Sequence, residues 1–110
     1  MADRVKGLLG IAARAGKLAS GEFSSEKSVK SGKAKLCMVS SDASENTVKK
    51  FRNMCESRKI PFIVLSFGMK ELGHAIGCSD RTSVAIEDAG LAASLMKYVL
   101  QFMVKRMAII

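Results

Sequence analysis

A chain of 110 residues with 48% hydrophobic residues can fill one core, so we expect a single domain spanning residues 1–110. The basic excess, 18 minus 10 or +8, and a sequence pI of about 9.7 are typical of proteins with a nucleic-acid partner. Three cysteines, 18 and 23 residues apart, exclude a disulfide framework and a CxxC metal site. They indicate reduced thiols in a cytoplasmic protein.

No segment predicts a membrane partner. Residues 1–10 lack the apolar run of a signal peptide, and every apolar stretch is shorter than the roughly 20 residues that span a bilayer. The basic, apolar tail YVLQFMVKRMAII, residues 98–110, is the one alternative, since it also suits a membrane surface. Because Tyr98–Met103 continues the last predicted helix, we favour packing of its apolar side on the core.

The chain opens with a predicted amphipathic helix over residues 3–15, ended by Gly16. Apolar side chains recur there at i, i+3, i+4 and i+7, which is the spacing of one buried helix face. These side chains are Val5, Leu8, Leu9 and Ala12.

The stretch Lys17–Leu36, KLASGEFSSEKSVKSGKAKL, is the predicted nucleic-acid-binding edge. A short extended piece breaks at Gly21, and a helix follows from about Glu22 to Ser31. The unpaired N–H groups and positive dipole end of that helix favour phosphate oxygens beside Gly21. We expect lysines to hold a polyanion there from several sides, although a merely solvated helix face is the alternative. They are Lys17, Lys27, Lys30, Lys33 and Lys35.

The next segments alternate between strand and helix. Leu36–Ser40 predicts a strand buried on both faces, and either Asp42 or Ser44 caps the following helix, which ends before Pro61. Phe62–Leu65 predicts a second strand of the same buried type. The core stripe of the intervening helix consists of Val48, Phe51, Met54 and Cys55.

The last third continues this alternation. A short helix opens at Ser66 or Gly68 and stops at Gly77, with Met69, Leu72 and Ile76 as its apolar residues. A loop over Cys78–Arg81, a strand over Thr82–Ile86 and a helix capped by Asp88 follow, and the core face of that helix is Leu91, Leu95, Met96, Val99 and Phe102. Strict alternation predicts an α/β domain whose central sheet has helices on both faces.

The residue pattern does not predict catalysis, a cofactor or a metal site. His74, the only histidine, has no partner at a suggestive spacing, and we interpret it as a surface or packing residue. Gly68 and Gly73 have the spacing of P-loop glycines, but His74 and Ala75 occupy the Lys and Ser/Thr positions. A reactive thiol at Cys78 is the alternative, although no general base accompanies it.

Several short segments occur in a characteristic order: Gly21, Lys27, GKAKL at 32–36, DASENT at 42–47, KIPF at 59–62 and ELGHAIG at 71–77. With them the chain resembles the kink-turn-binding ribosomal-protein family of the L-seven-Ae and L-thirty-e type, from about Val5 to Leu100. Within that family it is most similar to the small YlxQ-type group of Gram-positive bacteria. The resemblance implies a three-layer α/β/α sandwich around a four-stranded mixed sheet, and an RNA-binding protein without catalytic activity.

The family recognises the kink-turn, a bent RNA element with tandem sheared G·A pairs. The start of the second helix enters the widened groove at those pairs, and the loop before the last strand covers a flipped-out base. Carried over to this chain, the resemblance implies contacts from the helix start and from that loop, beside the flanking Lys17, Lys30 and Lys33. The helix-start residues are Gly21, Glu22, Phe23, Ser24 and Lys27, and the loop residues are Arg81, Thr82, Ser83 and Val84.

One departure separates this chain from the strongest kink-turn binders. It has GEFS where they have GxNE, so Phe23 and Ser24 replace the Asn and Glu that contact guanines. Two lost polar contacts cost roughly 2–6 kcal/mol if each is worth about 1–3 kcal/mol. A Ser24 hydrogen bond and stacking of an exposed Phe23 on an unpaired base would offset part of that loss.

Three hypotheses remain open at this point. The first is a non-catalytic reader of a kink-turn or similar bent RNA, ribosomal or otherwise noncoding. The second is a ribosome-associated or protein-interaction module with only electrostatic, steeply salt-dependent RNA binding. The third and least favoured, a small-molecule enzyme, requires a cleft with perturbed titrating groups. We expect a monomer without cofactor, metal or membrane contact, with structured RNA, ribosomal RNA or the ribosome as partner.

Overall fold

The computed structural model describes the backbone of residues 2–109 and the side chains of residues 3–101. Within these residues helices and strands alternate as predicted, with boundaries within a few residues of the expected ones. The elements are α1 (Ala2–Arg14), β1 (Leu18–Ser20), α2 (Glu22–Lys30), β2 (Leu36–Val39), α3 (Glu45–Ser57), β3 (Phe62–Val64), α4 (Met69–Ala75), β4 (Ser83–Ile86) and α5 (Ala89–Ile109).

The four strands form one mixed sheet in the order β1-β4-β2-β3. Strands β2 and β3 are parallel, whereas β4 is antiparallel to both β1 and β2. In the central pair Leu36 lies opposite Ile86 and Met38 opposite Val84. Every residue of β2 and β4 is buried, as the continuous apolar runs predicted for strands covered on both faces.

Helices cover both faces of the sheet, which confirms the three-layer α/β/α sandwich. On one face the strand residues Leu36, Met38, Val84 and Ile86 join the core side chains of α1, α4 and α5, including Val5, Leu9, Leu72 and Leu95. On the other face Cys37, Val39 and Ala85 pack with Val29 of α2 and with Phe51 and Cys55 of α3. Alternate residues of β2 and β4 therefore pack into the cores on opposite faces of the sheet.

The structure corrects two predictions about burial. Strand β3 was expected to be buried on both faces, but it lies at the sheet edge, and its Val64 is 45% exposed. An apolar run does not distinguish a central strand from an edge strand, because sheet order is not encoded locally. Leu72 in α4 and Ile76 directly after it are buried as expected, whereas Met69 is 38% exposed at the first turn of α4.

The last helix, α5, packs much as predicted where its side chains are described. Leu95 is buried, and Leu91, Met96 and Val99 pack against the same core cluster. The predicted core role of Phe102, and the tail beyond it, fall outside the described side chains. None of the helices, over the residues described, has the length and apolarity to span a bilayer.

Three acidic or hydroxyl side chains cap helices, and two of them settle the choice left open between Asp42 and Ser44. Ser44 caps α3, because its Oγ accepts a hydrogen bond of 3.2 Å from the Thr47 N–H. Asp42 caps α4 instead, since its Oδ1 accepts from the Met69 N–H at 2.9 Å. Asp88 caps α5 as predicted, accepting from the Leu91 N–H at 2.9 Å.

The cap from Asp42 predicts a pH dependence of stability. The Ser40 hydroxyl and the Met69 N–H hold the pKa of the Asp42 carboxyl below its ordinary value of 3.8. A carboxyl with a lowered folded-state pKa stabilises the fold above its unfolded pKa, and the contribution is lost as the pH falls through the folded pKa. We therefore expect Asp42→Asn to be less stable than wild type at pH 7, with the difference shrinking below about pH 4.

Urea unfolding at pH 7, 4 and 3 measures this difference. The Asn side chain keeps an oxygen that accepts the Met69 N–H, so the comparison isolates the charge. A difference in unfolding free energy that is the same at all three pH values would show that the charge of Asp42 does not contribute.

Candidate nucleic-acid interface

The turn between β1 and α2 has a backbone conformation that fixes where the helix starts. Gly21 is the N-cap of α2 with φ 90° and ψ 161°, a region occupied essentially only by glycine. Its N–H donates to the Ser83 carbonyl of β4 at 2.9 Å, and its own carbonyl accepts from the Ser25 N–H at 2.9 Å. The start of α2 is therefore held against the central sheet.

The first turn of α2 is open. Gly21 provides no side-chain cap, and no described residue accepts a hydrogen bond from the N–H groups of Glu22, Phe23 or Ser24. Phe23 is 79% exposed, and Ser24 is exposed beside it. The question that the sequence left open is thus settled: Phe23 lies on the surface and not in the core.

The loop before β4 lies directly beside this turn. The position that a Cβ of Gly21 would occupy is 4.0 Å from Cδ of Arg81. The Arg81 guanidinium donates to the Ser79 Oγ at 2.9 Å and to the Asp80 carbonyl at 3.0 Å, and its Nε donates to the Ser20 Oγ at 3.4 Å. The fold therefore brings the two predicted site segments, the helix start and the loop, into one surface.

The structure corrects the extent of that loop. Ser83 and Val84 belong to β4 and are completely buried, with Val84 in the core beside α1 and α5. Their side chains do not reach the surface because helices cover both faces of this central strand. Of the predicted loop residues, Arg81 and Thr82 remain partly exposed.

The acidic residues of α2 form ion pairs with a lysine of α3. Lys50 of α3 forms ion pairs with Glu22 at 3.2 Å and with Glu26 at 3.0 Å, and the hydrogen bond from Lys50 is the main cause of the lowered pKa of Glu26. Phe23, Lys27 and Lys30 are spaced i, i+4 and i+7, which places them on one face of α2. That face carries an aromatic ring and two ammonium groups, of which the Lys30 ammonium pairs with Glu26 at 3.7 Å.

The predicted cluster of lysines is divided between two ends of the sheet. Strand β1 runs up to Gly21 and α2 runs back, so Lys17 before the strand and Lys33 after the helix lie far from the turn. Four residues of extended chain and nine helical residues each span about 13 Å. We call the surface of Gly21, Glu22, Phe23, Ser24, Arg81 and Thr82 the Gly21 end, and that of Lys17, Lys30, Lys33 and Lys35 the Lys35 end.

This division corrects the expectation that all five lysines surround one polyanion at the turn. Lys27, in the second turn of α2, is the one that stays near the Gly21 end. The other four lysines lie away from the turn because β1 and α2 both extend from Gly21 toward the same end of the sheet.

The groups at the Gly21 end are suited to binding an anion and an unpaired base. His74 and Cys78 are exposed, whereas Cys37 and Cys55 are buried in the core between the sheet and α3. In the part of the chain that the structure describes, no three or more His, Cys, Asp or Glu side chains are grouped to hold a metal ion. The open helix start offers N–H donors and a positive dipole end to an anion, and Phe23 offers a ring to a base.

Taken together, these features define a basic α/β/α domain of ribosomal-protein type, with a glycine turn and an open helix start beside the loop that precedes a central strand. The chain belongs to the family described as ribosomal protein L7Ae/L30e/S12e/Gadd45, which it matches over residues 3–96. The resemblance drawn from its short segments is thereby confirmed.

Relatives place it more closely within that family. It is 39% identical over 89 residues to the RNA-binding protein YlxQ of Bacillus subtilis (strain 168), which covers 81% of this chain and 88% of that protein. It is 37% identical over 90 residues to the RNA-binding protein YlxQ of Enterococcus faecium, with coverage of 82% and 85%. The similarity to the YlxQ-type group thus extends over most of both chains.

Two solved structures share the fold. A Bacillus halodurans protein described as having unknown function superposes with a TM-score of 0.80 at 39% identity, covering 84% of this chain and 93% of that one. The Giardia lamblia 15.5kD RNA binding protein superposes with a TM-score of 0.75 at 22% identity, covering 87% and 84%. At 22% identity, the similarity to the Giardia lamblia protein shows only that the fold is shared.

Proposed function

We propose that this protein is a non-catalytic RNA-binding protein that recognises a kink-turn, or a similarly bent RNA element, through its Gly21 end. The observation that carries the proposal is the open start of α2, where an exposed Phe23 lies next to unpaired N–H groups and beside the Arg81 loop. Family membership and the relatives named as RNA-binding proteins support it.

Each part of the Gly21 end has a role in this proposal. Backbone N–H groups of the first turn of α2 bind phosphate or base oxygens, and Phe23 stacks on an unpaired base. Ser24 donates one hydrogen bond to a base edge, and Lys27 contacts a phosphate one turn further along. Arg81 and Thr82 cover a base that is flipped out of the bent element. Glu22 is paired with Lys50 and so presents less repulsion to the RNA.

The RNA we propose is ribosomal or another structured noncoding RNA, bound by a monomer in the cytoplasm. A second candidate function, a ribosome-associated module with only electrostatic RNA binding, is favoured by one observation. Phe23 and Ser24 stand where the strongest kink-turn binders of the family have the Asn and Glu that contact the G·A pairs.

A titration separates the two candidates. The protein is titrated with a labelled kink-turn RNA and with the same RNA whose G·A pairs are replaced by Watson–Crick pairs, at about physiological salt. The proposal expects clearly tighter binding of the intact element. Equal and steeply salt-dependent binding of both RNAs would overturn the kink-turn proposal and leave the electrostatic module.

Phe23→Ala tests the stacking role in the same assay. Stacking of a base on an aromatic ring is worth about 1–3 kcal/mol, so we expect affinity for the kink-turn RNA to fall roughly 5- to 150-fold. Because the Phe23 side chain is exposed, the free energy of unfolding should change by no more than about 0.5 kcal/mol.

The matched control is Ile11→Ala, which truncates an exposed apolar side chain on α1, a helix that covers the opposite face of the sheet from α2. It should leave the RNA affinity unchanged. If Phe23→Ala and Ile11→Ala bound the kink-turn RNA with equal affinity, Phe23 would not stack on a base of that RNA.

A further inference from the structure

A basic groove lies at the Lys35 end, beyond the C-terminus of α2. It encloses about 540 Å³ between the end of α2, the segment before β2 and the turn after α3. Lysine or arginine contributes four of its ten lining residues, namely Lys30, Lys35, Arg58 and Lys59, and no lining residue is acidic. Ile60 and Pro61 give it an apolar part. Arg58, Lys59 and the groove itself were not anticipated from the sequence.

The cations of this groove have little internal compensation. Lys35, Arg58 and Lys59 form no ion pair with any residue that the structure describes, and Lys30 pairs with Glu26 at 3.7 Å. The Arg58 guanidinium donates only to the Ser57 Oγ and the Met54 carbonyl, at 3.2 and 3.5 Å. Four like charges that line one groove repel one another, so a polyanion would stabilise them.

Helix ends explain only part of this arrangement. Cations near the C-termini of α2 and α3 interact favourably with the helix dipoles, which accounts for Lys30 and Arg58. Lys35 lies beyond α2 on the approach to β2, where no helix ends. Glu87, at the same end of the sheet, accepts a hydrogen bond from the Ser28 Oγ at 2.6 Å and does not line the groove.

The backbone of Lys59 gives a second, independent indication. Lys59 has φ 57°, and it is the only non-glycine residue with positive φ in the described chain. The four other positive-φ positions are glycines, and three of them, Gly16, Gly32 and Gly77, follow a helix as Lys59 does. A lysine here carries a backbone cost that glycine avoids. Strain that is retained at one cationic position indicates a use for the side chain.

We propose that this groove binds the phosphate backbone of an RNA segment that flanks the bent element, so that one RNA contacts both ends of α2. The inference rests on the proposed function. Phe23, Lys27 and Lys30 mark the path, since their common face of α2 leads from the Gly21 end to the groove. Phosphates bind the four cations, and a ribose or base packs on Ile60 and Pro61. This continuity favours RNA over an acidic protein as the occupant.

The test compares Lys35→Ala/Lys59→Gly with the control Lys70→Ala/Lys97→Ala, which removes two exposed lysines from α4 and α5 on the other side of the sheet. Glycine adopts the positive φ of position 59 without strain, so a lower RNA affinity of this variant is not caused by loss of folding. The RNAs are a kink-turn with short stems and the same kink-turn with one stem extended. Affinity is measured from about 50 to 200 mM salt.

We expect the groove variant to bind the extended RNA about tenfold more weakly than wild type, with the slope of log affinity against log salt reduced by about 2. Its affinity for the short RNA should be unchanged, and the control should match wild type on both. The inference would be overturned if the groove variant bound the extended RNA as tightly as wild type does. It would also be overturned if the control variant lost as much affinity for that RNA as the groove variant.

The same measurements distinguish failure of the kink-turn proposal from failure of the groove proposal. If wild type shows no preference for intact G·A pairs, the kink-turn proposal fails, but the difference between extended and short RNA still decides the groove. If the groove variant keeps its RNA affinity and loses binding to a poly-glutamate peptide, the groove is a site for an acidic protein and the RNA assignment is overturned.

Discussion

Gly73→Ala is expected to lower the free energy of unfolding by about 3 kcal/mol or more. Gly73 is buried within α4, and a Cβ on it would lie 2.0 Å from the Ser79 carbonyl oxygen and 2.6 Å from the Ser79 carbonyl carbon. Both of these atoms are backbone, so no side-chain rotation relieves the overlap. Either α4 or the loop after it must move.

Gly7→Ala is the matched control for that measurement. Gly7 also lies inside a helix, but a Cβ on it would meet nothing within 4 Å. We expect this substitution to stabilise the protein by about 0.5–1 kcal/mol, because alanine has the higher helix propensity. Urea unfolding of both variants gives the two values. Equal effects of the same sign would show that the contact between Gly73 and Ser79 is not rigid.

The close approach at Gly73 also explains why the ELGHAIG segment bears on the candidate site. The loop after α4 is fixed by the Gly73 carbonyl, which accepts from the Cys78 N–H at 2.8 Å, and by the Met69 carbonyl, which accepts from the Arg81 N–H at 3.0 Å. These bonds hold Arg81 beside Gly21. A segment recognised in the sequence as a family feature thus has a physical role in positioning the loop.

Local pattern predicted the elements of the fold, because apolar periodicity and glycine or Asx signals act over a few residues. Only the mixed character of the sheet came from the family resemblance, since neither strand order nor strand direction is encoded in one segment. For the same reason the apolar run of β3 did not reveal an edge strand, and Asp42 did not reveal that its partner was Met69, 27 residues away.

Within the candidate site, the residue pattern predicted the features of single segments, and the family resemblance supplied the loop at Arg81. Contacts between other segments were missed. Gly21 and Phe23 were found because the turn and the helix start are contiguous in sequence. The ion pairs from Lys50 to Glu22 and Glu26 were not found, since they join α3 to α2. The groove was missed because Lys35 and Lys59 are 24 positions apart and meet only through the parallel pairing of β2 with β3.

Gly21→Ala is expected to weaken both the fold and RNA binding. With φ 90° and ψ 161°, the turn lies where a side chain costs about 1–3 kcal/mol, so we expect about 2 kcal/mol less unfolding free energy. Relief of that strain would redirect the first turn of α2, and with it both the open N–H groups and Phe23. Because stacking and phosphate contacts are then lost together, RNA affinity should fall about tenfold further than in Phe23→Ala.

Gly77→Ala separates strain from recognition. Gly77 also has a positive φ, 77°, with open space around it, and it follows α4 on the face of the sheet opposite α2. Its substitution should cost about 1–2 kcal/mol and leave RNA affinity unchanged. Urea unfolding and the kink-turn titration are run on both variants, at temperatures where each is folded. If the two alanine variants bind the RNA equally well, the start of α2 does not contact the RNA, and another surface of the protein must bind it.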